Sequence, residues 1–429
     1  MEKLVMIGAG NIGRSFVGQI FSRAGYEVVF VDVSQEIVNA LNERGEYNVE
    51  IKDREPKTIV VRNVRGIDGR NMRAVARELA TCRVAATAVG PAALPYIYPN
   101  LAAGLVRRRE LDNGPLDVII CENMRNAAEA MYAGVAEQLP GDFPVREMLG
   151  AVETSIGKMV PIMDEQTREQ DPLLVYAEAY NTLICDAKAF LNPIPDVPQL
   201  APKENMKAYV DRKLFVHNLG HALCAYFAHL EAPELVYTWE AVQHPTVGPA
   251  TREGMMESAR ALIAAYPDEF DEENQCEHVD DLLQRFENRA LGDTIYRVGR
   301  DVRRKLGRED RVIGALRFDA RWETDAPFTA LCAAAGMRFR AVDENGEMYE
   351  NDRDFANHVY PEGADYVLRE VSGLEVGDPL DRTVFDAVMA ADRFVSERLD
   401  AGESILDLEG DEFAQFGGEQ EAMPEGDRT

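Results

Sequence analysis

Residues 1–34 read MEKLVMIGAGNIGRSFVGQIFSRAGYEVVFVDVS, and this stretch decides the fold. Leu4–Ile7 and Val28–Val33 are short apolar runs bounded by turn residues, with a helical pattern from Gly13 to Ala24 between them. Gly8, Gly10 and Gly13 form G-x-G-x-x-G directly after the first run and at the start of the helical one. The first glycine permits the tight turn, the second lets the backbone approach a pyrophosphate, and the third lets helix pack on strand. The helix start then offers N–H groups and the positive end of a dipole to the phosphates. Asp32 ends the second run, 19 residues past Gly13. A carboxylate there accepts hydrogen bonds from the ribose hydroxyls and repels a 2′-phosphate. Gly8, Ala9, Gly10, Asn11, Ile12, Gly13 and Asp32 are therefore expected to hold NAD in preference to NADP. FAD uses the same fingerprint, and a glycine turn that binds nothing is the bland alternative.

Working outward, Val84–Val89 and Val118–Cys121 repeat the short apolar signature, each followed by a helical stretch. Such alternation predicts a Rossmann-type, doubly wound parallel sheet. Residues 84–106 carry no charge for 23 residues, but Pro91, Pro95 and Pro99 interrupt them. A strand, a loop and a short helix are expected there, and no membrane span. The N-terminus enters its first strand directly, without room for a signal peptide. NPIPDVPQLAP at 192–202 reads as a linker. Beyond it, amphipathic helices are expected near 204–231, 250–266, 278–290, 293–306, 326–336 and 380–400. The expected organisation is an α/β dinucleotide domain over 1–195, a mostly α-helical substrate domain over 196–405 and an acidic, disordered tail over 406–429.

Lys plus Arg number 46 and Asp plus Glu 75, a net charge of −29. That field repels nucleic acid and anionic membranes, so neither is an expected partner. An anionic substrate would need a local basic cluster. Cys82, Cys121, Cys185, Cys224, Cys276 and Cys332 lie far apart with no C-x-x-C pair, which suits a reducing cytoplasm. The six His show no zinc-ligand spacing, so no metal is expected. A monomer or small homo-oligomer acting on a small molecule is expected.

A second constellation lies in DRKLFVHNLGHALCAY at 211–226. On an α-helix His221 stands ~80° and Asn218 ~140° around the axis from Lys213, so the three share one wedge. Burial beside Leu214 and Phe215 would disfavour the charged amine and make Lys213 a base near neutral pH. Asn218 can donate to a developing alkoxide, and His221 can hold the Lys or the substrate. His217 lies in the same wedge, and a solvated helix face would show the same residues. In RVGRDVRRK at 297–305, Arg297, Arg300 and Arg304 stand at i, i+3 and i+7. On one helix they fall within ~60°, a spacing that suits either a phosphate or a stripe paired with carboxylates.

Taken together, these motifs resemble the polyol-specific long-chain dehydrogenases, within them the mannitol-1-phosphate 5-dehydrogenase branch, up to about residue 400. GAGNIGR at 8–14, TAVGP at 87–91 and CENM at 121–124 look like the family's opening blocks. RKLFVHNLGHA at 212–222 carries its K-x-x-x-x-N-x-x-H signature, and RFEN at 285–288, RVGR at 297–300 and RKL at 304–306 follow in order. The resemblance implies NAD-dependent, metal-free hydride transfer between a sugar alcohol, or its phosphate, and the ketose. It implies Lys213 as general acid/base, Asn218 and Asn123 as the oxyanion site, and His221 as the orienting residue. Ala88, Val89 and Gly90 would join the cofactor site.

Two departures bear on the substrate. SIGKMVP at 155–161 puts Gly157 where relatives usually carry an acidic residue and Lys158 where they carry Arg. DRVIGAL at 310–316 has Gly314 in place of Lys. Mannitol 1-phosphate and fructose 6-phosphate are the expected pair. The alternatives are a mannitol 2-dehydrogenase or hexuronate reductase type acting without phosphate, and a non-catalytic NAD-binding sensor.

Overall fold

The computed structural model describes residues 2–161, 163 and 165–407. The chain divides into two compact units, Met1–Val210 and Asp211–Thr429. Eleven strands occur among the described residues, all in the first unit: β1 (Lys3–Ile7), β2 (Glu27–Asp32), β3 (Glu46–Ile51), β4 (Lys57–Arg62), β5 (Val64–Asp68), β6 (Val84–Thr87), β7 (Leu116–Ile120), β8 (Leu149–Ser155), β9 (Val175–Ala177), β10 (Leu183–Asp186) and β11 (Leu200–Lys203). The main sheet runs β11-β10-β8-β7-β6-β1-β2-β5. Its six strands from β8 to β5 are parallel, β10 is antiparallel to β8, and β11 is parallel to β10.

Strand alternation builds two cores from one strand. Leu4 and Met6 of β1 join Phe16, Ile20, Val28 and Phe30 on one face of the sheet. Val5 and Ile7 join Val29, Val31, Leu101 and Val118 on the other. The strand order reverses between β1 and β6, so the loops after these two strands flank the switch point where doubly wound sheets bind ligands.

The uncharged stretch at 84–106 forms β6, a loop and a helix, Leu94–Glu110, longer than its prolines suggest. Pro95 sits in the first turn, where an N–H would lack a helical partner anyway, and Pro99 is accommodated inside the helix. The boundary expected at residue 195 falls before β11, whose pairing with β10 keeps residues 200–203 in the first unit. A second sheet, β4-β3-β9, has no counterpart in the sequence expectations.

The second unit is helical, with Tyr237–Thr294 an isolated bridge. Leu219–Glu231 is buried along Leu219–Ala228 and forms its centre, among Val247–Ala265, Glu272–Phe286, Ile313–Arg321, Pro327–Met337 and Pro379–Ala401. The helix expected over 293–306 is broken into Ile295–Gly299 and Val302–Lys305, with Asp301 left-handed at φ 69° between them. At the start of the expected tail, Leu406 is buried, and the Ile405 N–H donates to Glu231 at 2.5 Å. The rest of that tail, from 408, lies outside the described residues. Among the described residues no helix is long and apolar enough to cross a membrane.

Candidate active site

In the first unit the glycine loop is built as a cradle. Gly8, at φ +101°, leaves no room for a side chain, because a Cβ would strike the Ala88 carbonyl. A Cβ on Gly13 would strike the Gly8 carbonyl. Gly10 faces open space, which leaves its backbone approachable. The Gly8 N–H donates to Val31 O at 2.8 Å and the Ala88 N–H to Ile7 O at 2.9 Å, so both loops are stitched to β1 and β2. Asp32 fixes the turn: one carboxylate oxygen accepts the Ala9 N–H at 2.7 Å and the other the Ser34 N–H at 2.9 Å. Each oxygen retains lone-pair capacity for a ribose hydroxyl. Asn11 and Ile12 open the helical segment, and Gly13–Gly18 continues it as a π-helix. These residues fit a dinucleotide.

Two residues that the sequence reading passes over hold the cradle in place. Arg14 is buried and donates from Nε to Ala9 O and from Nη1 to Pro172 O, both at 2.7 Å. Burial lowers its pKa, opposed by Tyr47, Asp32 and Asp171. Glu122, within the block at 121–124, is buried against the block at 87–91, accepting the Thr87 hydroxyl at 2.6 Å and the Val89 N–H at 2.9 Å. Burial raises its pKa against those hydrogen bonds. Glu122 thereby fixes the Thr87–Gly90 loop, which includes Ala88, Val89 and Gly90. Asn123 follows it directly and is exposed.

In the second unit Lys213–Asn218 is a π-helix, not the α-helix on which the angular spacing rests. A π-helix bonds i to i+5, so Lys213 and Asn218 lie nearer one line along the axis than α spacing gives. π-turns of this kind occur often at functional sites. Lys213 is half-buried. Its amine is pulled down to about 8, first by burial and then by the Arg311 cation. His221 is pulled down to about 3, by burial and then by Arg311, Lys305, Arg285 and Arg297. Its ring stacks on Phe286 with centroids 4.2 Å apart and lies 5.2 Å from that of His217. His217 is the more deeply buried of the two, and burial drives its pKa well below the ordinary value. Both imidazoles are therefore neutral at physiological pH, and His221 is the one with exposure left for a ligand.

Arg311 is the clearest omission of the sequence reading. It is buried, and its Nε donates to Asp310 at 2.8 Å. The signal lies in DRVIGAL itself, where an Arg follows an Asp just ahead of the anomalous Gly314. At Gly314 a Cβ would press on the Glu309 backbone, so this helix start has little room for a side chain. At Gly157 a Cβ would meet the Tyr180 ring at an ordinary 3.6 Å. Lys158 is buried, and its amine donates to Glu178 O at 3.1 Å, Tyr180 O at 2.5 Å and Asn181 Oδ1 at 3.1 Å.

The three arginines expected on one helix face are separated by the break at Gly299–Asp301. Two residues hold it open: Asp352, from far along the chain, accepts the Asp301 N–H at 2.9 Å and the Val302 N–H at 2.8 Å, and Lys305 donates to the carbonyls of Val298 and Arg300. Arg297 pairs with Asp293. Arg304 pairs with Asp301 at 2.6 Å and with Asp310 at 3.0 Å. Arg300 is exposed, its guanidinium 5.7 Å from the Tyr296 ring centroid and 5.5 Å from that of Tyr349.

Comparison with known proteins agrees with this division. Residues 2–199 match the mannitol dehydrogenase Rossmann domain and residues 205–409 the mannitol dehydrogenase C-terminal domain. The chain is 32% identical over 384 residues to a mannitol-1-phosphate 5-dehydrogenase of Brevibacillus brevis, covering 89% of this chain and 96% of that one. It is 31% identical over 392 residues to the Bacillus licheniformis protein of the same name, covering 89% and 98%. The crystal structure of a substrate-free D-sorbitol dehydrogenase superposes with a TM-score of 0.73 at 15% identity, covering 94% of this chain and 95% of that one. A Pseudomonas fluorescens mannitol 2-dehydrogenase, in ternary complex with NAD and D-mannitol, superposes with a TM-score of 0.61 at 16% identity, covering 97% and 89%. With both domain models matched in order over nearly its whole length, the chain belongs to the mannitol dehydrogenase family.

Proposed function

We propose that this polyol dehydrogenase interconverts mannitol 1-phosphate and fructose 6-phosphate in the cytoplasm, using NAD and no metal, with Lys213 as general acid/base. The observation that carries the reading is the Lys213 amine, lowered to about 8 in a half-buried setting one π-turn from Asn218. A base of that strength holds roughly a fifth of the amine neutral near physiological pH, far more than an ordinary Lys, and can still return the proton. The two mannitol-1-phosphate 5-dehydrogenases that match most of the chain support the substrate. Asp32 and the glycine cradle support NAD.

NAD, held by residues 8–13, Asp32 and the Ala88–Gly90 loop, would accept the hydride of the carbinol carbon. Lys213, as the neutral amine, takes the hydroxyl proton, and in the reverse direction its ammonium gives the proton back. Asn218 would donate a side-chain N–H to the substrate oxygen, where charge develops, the role that the resemblance also gives Asn123. His221, neutral throughout, orients Lys213 or the substrate by hydrogen bonding. Among the candidate phosphate residues, Arg297 and Arg304 are paired with carboxylates, so Arg300 is the member that reads the phosphate.

A second reading rests on Gly157 and Gly314, which remove a carboxylate and an ammonium that relatives carry: an unphosphorylated ketose or hexuronate as substrate. An NADH-oxidation screen over fructose 6-phosphate, fructose, tagaturonate and fructuronate decides between them. Fructose 6-phosphate is expected to give the highest kcat/KM. Fructose or a hexuronate in first place would replace the phosphate reading. NADH binding with no turnover on any ketose would favour a sensor.

A further inference from the structure

The cofactor reading leaves one cation at the dinucleotide end of the sheet without a role. Asp32 and Asp68 are register partners at the ends of the neighbouring parallel strands β2 and β5. Two residues past Asp68, Arg70 turns back across this edge. Its Nε donates to Asp68 Oδ1 at 2.9 Å and its Nη2 to Val33 O at 3.2 Å. Val33 is the residue directly after Asp32 and is 66% exposed. The Gly69 N–H donates to Asp32 O at 2.9 Å, so the turn that carries Arg70 is bonded to the Asp32 backbone itself. The guanidinium is thus tied to the carbonyl of the residue that follows Asp32, whose carboxylate is expected to meet the adenosine ribose.

We propose that Arg70 is a specificity residue of the cofactor site, a cation on the rim at the ribose 2′ position that opposes the exclusion of a 2′-phosphate by Asp32. The proposal rests on the NAD reading above. Two of the five guanidinium N–H groups are used within the chain, which leaves three for a ligand. The Arg70–Asp68 pair is exposed, with side chains 63% and 32% accessible, so exchanging Asp68 for a phosphate costs little. Arginine matches phosphate through forked, charge-assisted hydrogen bonds. A nearby Arg is also the general device by which Rossmann folds accept a 2′-phosphate. Here that device coexists with the acidic residue that excludes it, so the discrimination rests on one carboxylate.

The test is binding, read by the fluorescence of NADH and NADPH titrated against the unmodified protein, Arg70→Gln, Asp32→Ser and the double variant. Arg70→Gln is expected to weaken NADPH about tenfold or more and NADH less than about threefold. Asp32→Ser is expected to bind NADPH more tightly than the unmodified protein does, and adding Arg70→Gln to remove about ten- to a hundredfold of that affinity. NADPH affinity in Asp32→Ser should also fall with added salt more steeply than NADH affinity. Asp32 braces the glycine loop, so Arg70→Gln alone, at an exposed position, keeps the idea testable if Asp32→Ser misfolds. Equal losses on both cofactors, or NADPH binding indifferent to Arg70, would overturn it. Absence of NADH binding by the unmodified protein would instead remove the NAD reading on which it stands.

Discussion

Lys213→Ala is expected to lose ~10²–10⁴-fold in turnover while NADH affinity stays within about twofold. The asymmetry follows from placement. Lys213 belongs to the second unit, whereas the glycine cradle, Asp32 and the Glu122-braced loop belong to the first. Stopped-flow turnover together with NADH fluorescence separates the two effects, and a mutant retaining more than about a third of wild-type turnover contradicts the role. The pH dependence carries the same information. The folded-state pKa of Lys213 is depressed to about 8. The neutral amine therefore prevails above that pH, and polyol oxidation should rise with pH and level off past about 8. Ketose reduction, which needs the ammonium, should fall through the same range. Arg311 is the second cause of the depression, so Arg311→Met should move the inflection upward.

Arg300→Ala is expected to lower kcat/KM for fructose 6-phosphate by roughly ten- to a hundredfold and to leave free fructose nearly unchanged. The break between Ile295–Gly299 and Val302–Lys305 sharpens this expectation. With Arg297 on Asp293 and Arg304 on Asp301 and Asp310, their truncation breaks structural pairs and should reduce both substrates together. Arg300 has aromatic rings beside it and no carboxylate partner among the described residues, so its effect should depend on phosphate. Measuring both substrates in wild type and Arg300→Ala decides the matter. An equal loss on the two would make Arg300 a scaffold residue.

Much of this architecture can be read in the chain because its signals are local. G-x-G-x-x-G between an apolar run and a helical pattern, with Asp32 closing the next run, specifies a strand, a turn and a helix within 32 residues. The helix around Lys213 is equally legible, but its π character is not. A π-turn depends on which carbonyl each N–H reaches, and residue spacing alone assumes the α choice. Arg297 to Arg304 reads as one helix because residues that break it act from elsewhere: Asp352 lies about fifty positions downstream of Asp301 and Val302. The β4-β3-β9 sheet escapes the sequence for a similar reason, since β9 comes from residues 175–177, far from the hairpin it completes. Arg14, Glu122 and Arg311 stand inside motifs that the sequence displays, but a bracing role appears only once their partners across the fold are known.

The contacts of Arg14 have a consequence for how this unit could be dissected. A Rossmann β-α-β segment is often treated as a portable cassette, transferable between proteins with its ligand. Here Arg14 holds Ala9 O at one end of its guanidinium and Pro172 O at the other. Its own carbonyl accepts the hydroxyl of Tyr47 from β3, at 2.7 Å. The shape of the phosphate loop is therefore guaranteed by chain that is synthesised much later, since the bond from Arg14 to Pro172 spans 158 residues of sequence. A fragment ending after β7 would keep every residue of the fingerprint and lose the carbonyl against which Arg14 is tensioned. A segment that keeps this contact has to extend at least through Pro172, and a graft of the fingerprint alone would carry the letters without the clamp.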